Sequence, residues 1–236
     1  MVMGTSFGAA MAALEQSEPS PTGYCRPFLD LFPVSGASVS TIGELLGSET
    51  VSASDELAVL LDELQFDLGE GPCWEALRHR QPVLAPDVHS RADAWPAFAS
   101  AIRDQPLSSM FAFPLTVGPL RFGAVDLYSR EPVVLDRTQA QQADAMAEVV
   151  GRQVLRQALD SVGHDYDHAG NGYSRRILHQ ATGMVLAQLD ISADGARLVI
   201  HGHAYAASRT TMDVAQEIID GTLAFTKDPD GFEGAE

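Results

Sequence analysis

Two thiols, seven histidines and one glycine-rich turn are the groups in this 236-residue sequence whose types could carry chemistry. Cys73 sits in the turn Gly69–Trp74, GEGPCW. The glycines suggest a phosphate cradle, but a P-loop carries Lys after its second glycine, and Pro72 stands there. Proline suits the first position of a helix. A thiol just inside a helix start can be activated by the dipole, whereas a buried one behaves as a small inert hydrophobe. The neighbours Pro72 and Trp74 favour the inert reading. His164 and His168 are four apart and flanked by Asp165 and Asp167, a metal-ligand spacing on a helix. Their glycine-rich surroundings spell a loop instead. His201 and His203 are two apart and point to different helix faces. No Ser/His/Asp set can be assembled, and we expect a non-enzyme with no metal and no cofactor.

The candidate ligand pocket rests on Phe111, Phe113, Phe122, Asp126 and Cys73. Asp126 alternates with Val125 and Leu127 on a strand, so it faces away from them, into a pocket or to water; water is the reading we lean to. The aromatic cluster is ordinary core or the wall of an apolar ligand cavity, and sequence does not choose between them.

Those residues need elements to position them. Ser35–Ile42 and Glu49–Ala53 read as short strands. Ser54–Phe66 reads as a helix capped by Ser54, with Leu57, Leu60, Leu61 and Leu64 on its buried face. Pro72–Arg80 and Trp95–Arg103 are short helices, with a strand at Gln81–Pro86 between them. Ser109–Val117 and Arg121–Tyr128 flank a tight Gly118–Pro119 turn and predict a central antiparallel hairpin. Arg137–Leu159 is a long helix whose apolar stripe exceeds what a small domain needs. We therefore expect a homodimer. Strands and helices in this irregular alternation make an α+β fold.

Composition shifts set the boundaries: a loose arm at 1–24 with one helical turn around Met11–Leu14, a larger domain at 25–160, a linker at 161–172, a small helical domain at 173–226 and a frayed tail at 227–236. The small domain has three helices, capped at Ser174, Ser192 and Thr210. Their inward stripes include Ile177, Ala181, Met184, Val185 and Leu189 on the first, and Val214, Ala215 and Ile218 on the third. No apolar run approaches the roughly 18–20 residues that span a bilayer. The start lacks the basic region of a secretory signal, and two cysteines make no disulfide framework, so we expect a cytoplasmic protein. Its net charge of −17 excludes a general nucleic-acid coat but not a small RNA site.

Three segments, Leu64–Leu77 (LQFDLGEGPCWEAL), Asp93–Phe98 (DAWPAF) and Ser108–Ser129, resemble the GAF domain of actinobacterial GAF–ANTAR regulators. His179–Ser192 (HQATGMVLAQLDIS) and Ala207–Ile219 (ASRTTMDVAQEII) resemble the ANTAR domain. The resemblance implies an antiparallel sheet of about six strands with helices, often holding a small-molecule ligand, followed by a three-helix RNA-binding module. Such modules bind stem-loops in nascent transcripts and act in transcription antitermination. Family members are commonly dimers. Ala181 and Gly183 match small positions of the first ANTAR helix, Ala204 one of the second, and Arg209 the approach to the third. With Arg197 and Tyr205, an aromatic that either stacks on a base or packs against the long preceding helix, these form the expected RNA-binding set. The family carries Lys where Thr182 stands, a basic residue where His201 stands and Gly where Asp190 stands. Some GAF domains reduce free methionine sulfoxide with three pocket cysteines, a number this chain lacks.

Overall fold

The computed structural model describes residues 6–17, 20, 22–43, 46, 49–161, 176–207, 209, 211–228 and 231–235. The chain divides into two compact units, Met1–Tyr173 and Ser174–Glu236.

The first unit is built on a five-stranded sheet. Its strands are β1 (Gly36–Thr41), β2 (Glu49–Ala53), β3 (Val83–Ala85), β4 (Ser109–Val117) and β5 (Leu120–Ser129), in the order β2-β1-β5-β4-β3. Every neighbouring pair is antiparallel. The resemblance implied about six strands; the described residues form five. The central hairpin β4–β5 forms as the sequence predicts. The first seven residues of β4 are all buried, because helices cover both faces of the sheet, and a strand buried on both sides shows no polar alternation. Gly123 on β5 is required by close approach: a Cβ there would lie 2.0 Å from the Ser40 carbonyl oxygen.

One face carries α1 (Phe7–Glu15), α2 (Arg26–Leu31) and the long α6 (Arg137–Ser161). Phe111, Phe113, Leu115, Val125 and Leu127 pack there against Met146, Ala147 and Val150. The described part of the expected loose arm belongs to this core, and the helical turn expected around Met11–Leu14 lies within α1. Ser6 caps α1 through the Ala9 N–H, and Ala10 and Leu14, one turn apart, are buried where α1 packs on α6. Gln157 donates to the hydroxyl of buried Tyr24. The α6 stripe, which suggested a second chain, is therefore covered from within the chain by the sheet and α1.

The opposite face carries α3 (Glu56–Leu68), α4 (Pro72–His79) and α5 (Pro96–Ala101). The cap of α3 is Asp55, not Ser54. Ser54 Oγ is occupied, accepting from Ala37 N and donating to Asp55, while Asp55 Oδ1 accepts from Leu57 and Ala58 N–H and from the Tyr128 hydroxyl. Burial would raise the Asp55 carboxyl, but these hydrogen bonds outweigh it and hold its pKa below the ordinary value.

The second unit contains α7 (Arg176–Leu189), α8 (Ala193–Ala206), α9 (Thr211–Asp220) and a hairpin of β6 (Ala224–Asp228) and β7 (Gly231–Ala235). The hairpin replaces the expected frayed tail. The intervening sequence, Pro229-Asp230-Gly231, has turn chemistry. Phe225 N donates to Gln188 Oε1 at 3.0 Å, and Phe225 meets the His203 ring edge-on. Leu223 and Phe225 are buried with Ala181, Val185, Leu189, Ala196, Ile200, Val214, Ala215 and Ile218. The strand thus supplies cover that three short helices alone lack. Met184, expected inward, is exposed, because the face of α7 turned inward runs through Leu178, Ala181, Val185 and Leu189. Ser192 caps α8 through the Gly195 N–H. The expected caps Ser174 and Thr210 lie outside the described residues, as do positions 162–172 of the expected linker, His164 and His168 among them.

Candidate functional site

Helix α3 buries a different face from its leucine stripe. Ala58, Leu61, Asp62 and Gln65 point inward, while Leu57, Leu60 and Leu64 are only half-buried. Polar residues can occupy the inward face because the strands opposite supply polar partners. Ser38, Ser40, Thr50 and Asp126 are all buried, and the register places Ser38 beside Asp126 and Ser40 beside Thr50.

The contacts define a compact polar centre. Thr50 Oγ1 donates to Asp62 Oδ2. Gln65 Nε2 donates to Asp126 Oδ2 at 2.5 Å, and Gln65 Oε1 accepts from Cys73 N–H at 2.8 Å. Trp74 Nε1 donates to the Gln65 carbonyl at 2.6 Å. One glutamine thus joins α3, the start of α4 and β5. Gly71, at φ 125, is required twice over: its backbone is left to glycine, and a Cβ would lie 2.6 Å from Gln65 Oε1.

Asp126 is the electrostatic focus. It is 4% exposed, and Oδ1 has no hydrogen-bond partner among the described residues. Burial, then the neighbouring Asp62 charge, push its pKa up to about 8 against the opposing Gln65 bond. The carboxyl therefore carries its proton near neutrality. The reading that turned Asp126 to water is overturned: β5 is central, and α3 covers that face.

The sheet separates the expected pocket residues. Phe111, Phe113 and Phe122 belong to the packed core on the α6 side. Asp126 lies on the α3 side, as does Cys73, which packs with Ile42, Leu77 and Ala124. An aromatic-walled cavity containing all five is not what the strands build. Next to the polar centre is a surface groove of about 330 Å³, lined by Gly69, Gly71, Trp74, Arg91 and Trp95 among others. Arg91 pairs with Glu75 at 3.0 Å and lies 4.8 Å over the Trp95 ring.

Cys25 and Cys73 are both buried. Burial pushes the Cys25 thiol up to about 12, opposed by a contact with Ser52 and reinforced by the Asp55 and Asp62 charges. Among the described residues no group of three or more His, Cys, Asp or Glu could hold a metal ion.

In the second unit, Ala181 and Ala204 are buried, so they set helix spacing and present nothing outward. Gly183 is exposed, with open space where a Cβ would stand. Arg197 is exposed. Arg209 makes a bidentate pair with Glu217, both contacts 2.7 Å, and the guanidinium holds that carboxyl below its ordinary pKa. The side chain of Tyr205 lies outside the described set. Thr182, where the resembled family carries Lys, is buried with its hydroxyl on the Leu178 carbonyl. It is therefore no part of an outer charged face. Asp190 ends α7 at φ 52, a left-handed conformation that explains glycine at that position.

The model of the GAF domain family matches residues 28–154. The chain belongs to the GAF domain family, and the matched residues lie within the first unit. No curated protein matches the chain. Among solved structures, the GAF domain of an Acinetobacter phosphoenolpyruvate-protein phosphotransferase is similar at TM-score 0.51 and 11% identity, over 70% of this chain and 94% of that one. The corresponding domain from Coxiella burnetii gives 0.49 and 11%, over 66% and 92%. The reduced form of fRMsr from Staphylococcus aureus gives 0.49 and 12%, over 65% and 98%. At these identities the likeness is one of fold. Among the described residues no helix is long and apolar enough to cross a membrane.

Proposed function

We propose that this chain is a signal-responsive regulator. Its GAF unit senses a small ligand at the Asp62–Gln65–Asp126 centre, and its C-terminal unit is an ANTAR-type module that binds hairpins in nascent RNA and favours antitermination. The observation that carries the sensing half is the buried carboxylate pair on α3 and β5. Two acids in a core cost stability that an apolar pair would not, so their presence there supports a binding role. GAF domains commonly bind small molecules, which agrees with this reading. The RNA half rests on the ANTAR-like sequence segments and the three-helix unit they form. The reading gives thiol catalysis no part; burial of both thiols, which raises the Cys25 pKa, supports it. Such a regulator acts in the cytoplasm, where the transcript is made; the family resemblance, and not the α6 stripe, is what supports a homodimer.

The test is binding of a labelled two-hairpin RNA by the full chain at low salt. Saturable binding supports the reading. A second reading, an effector that contacts other proteins, is favoured by the Arg209–Glu217 pair, which occupies the expected phosphate donor, and by Leu198, 74% exposed on α8. Failure to bind hairpin RNA would select it.

A further inference from the structure

Resting on the sensor reading above, we infer that the ligand of the GAF unit is a small organic cation, an ammonium or amidinium. Its N–H donors take the place of the Gln65 carboxamide on Asp126.

Three observations carry this. First, Asp126 and Asp62 face the same buried space, and Asp62 is the charged group that bears on Asp126 there. The residues around them, Ser38, Ser40, Thr50, Gln65 and Cys73, bring no cation. A ligand entering this centre meets two acids and no positive charge, so a cation is the ligand whose charge the centre can match. An anion would face the Asp62 charge in a low-dielectric core, where like charges repel strongly. Second, Asp126 Oδ1 is buried without a hydrogen-bond partner among the described residues, while Oδ2 holds a single donor. A carboxylate accepts a planar two-N–H fork through both oxygens. The Gln65 amide satisfies one oxygen, and an amidinium would satisfy both. Third, the residues that hold the glutamine border the surface groove. Gln65 lies in the last turn of α3, one turn before Gly69 at φ 63, and Gly71 packs directly against its side chain. Trp74, hydrogen-bonded to the Gln65 carbonyl, lines the open groove. The glutamine amide is a resident neutral stand-in, and the cation is what displaces it.

The charge balance is explicit. With Asp126 protonated, arrival of a cation releases that proton to solvent and leaves a carboxylate–cation pair, so the buried charge stays matched. Asp62 faces Asp126 from α3, and its charge also favours the cation.

Acetamidinium, acetamide and acetate share one shape and carry three charges, which makes them the probes. Thermal unfolding and calorimetry are run on the full-length wild type, on Asp126→Asn and on Gln65→Ala, whose missing carboxamide leaves a hole of the probes' size. The expected result is stabilisation by acetamidinium about tenfold more effective than by acetamide, and none by acetate. The preference should be strongest in Gln65→Ala. In wild type near pH 7, binding heats in two buffers of different ionisation enthalpy should show close to one proton released per cation bound. That release should vanish in Asp126→Asn. Where Gln65→Ala does not fold alone, its refolding yield with each probe gives the same comparison. Equal or better rescue by acetamide or acetate overturns the cation and leaves the sensor reading standing. No response to any probe in any of the three proteins removes the cation and the ligand site together.

Discussion

Gln65 on α3 donates its carboxamide to Asp126 on β5 at 2.5 Å, and the same carboxamide accepts the backbone N–H of Cys73 at the start of α4. Helix, strand and turn are held by one side chain, and that side chain is neutral where its partner is an acid. The arrangement leads to specific expectations.

Replacing Gln65 with Leu keeps the volume and removes both bonds. It strands the Cys73 N–H and the Asp126 carboxyl in the core, and each buried group left without a partner costs about 1–3 kcal/mol. Chemical denaturation should show a loss of that order, with the m-value unchanged. A loss under about 0.5 kcal/mol would mean that water or a rearranged loop replaces the amide.

The raised pKa of Asp126 makes a signed prediction. The folded value, about 8, lies above the unfolded value of about 3.9. Its favourable contribution is full below the unfolded value and declines as pH rises towards the folded one, because the native state holds a proton that the unfolded state has lost. In Asp126→Asn, stability should fall less between pH 5 and 8 than in wild type. Identical slopes in the two proteins would show that Asp126 is ionised in the native state.

Asp55 behaves in the opposite sense. Its pKa is lowered by the hydrogen bonds that cap α3, so its contribution is present above about pH 4 and is lost as pH falls through the lowered folded value. Asp55→Ala should cost about 1–2 kcal/mol at pH 7 and much less at pH 2. Asp55→Asn, which retains the cap acceptor, should recover part of the loss.

Asp190→Gly should stabilise the C-terminal unit by about 1 kcal/mol, since only the residue at φ 52 changes and glycine adopts that conformation without a Cβ clash. Thermal unfolding monitored on the isolated transition of that unit gives the comparison. A decrease would show that the Asp190 side chain makes a contact that outweighs its backbone strain.

Much of the fold was legible in the sequence. The β4–β5 hairpin announced itself through two β-prone runs around Gly118–Pro119, and α4 began at Pro72 as proline chemistry requires. What escaped was non-local. Of α1, a single turn around Met11–Leu14 was legible in an otherwise loose arm, because Ala10 and Leu14 mean little until α6 is set against them. The hairpin β6–β7 hid in an acidic tail, although Pro229-Asp230-Gly231 carried the turn signal. The site was half visible. Asp126 and Cys73 were named, but Asp62 and Gln65 were overlooked because the four leucines of α3 drew the buried face elsewhere. The available signal was a polar pair three residues apart on that helix, matched by serines two apart on β1. Three aromatics placed in the same pocket lie across the sheet, because alternation along β4 assigns Phe111 and Phe113 to the α6 side.

In the C-terminal unit, sequence similarity named surface and interior residues together. Ala181 is fully buried, so Ala181→Leu would overpack the core by about 1–3 kcal/mol and report on stability. Arg209→Ala remains the informative change for RNA and should weaken binding by about 1–2 kcal/mol through one lost charged contact.

The central claim joins the two units: a ligand site in the GAF unit governs hairpin binding by the other. The direct measurement is fluorescence anisotropy of a labelled two-hairpin RNA, titrated with the full chain as wild type and as Gln65→Ala. The account predicts saturable binding at low salt, with log affinity falling against log salt at a slope of roughly −2, as few phosphate contacts allow. It also predicts that emptying the Gln65 position changes the affinity several-fold without changing that slope. No hairpin binding in either protein, or the same affinity in both, would contradict it.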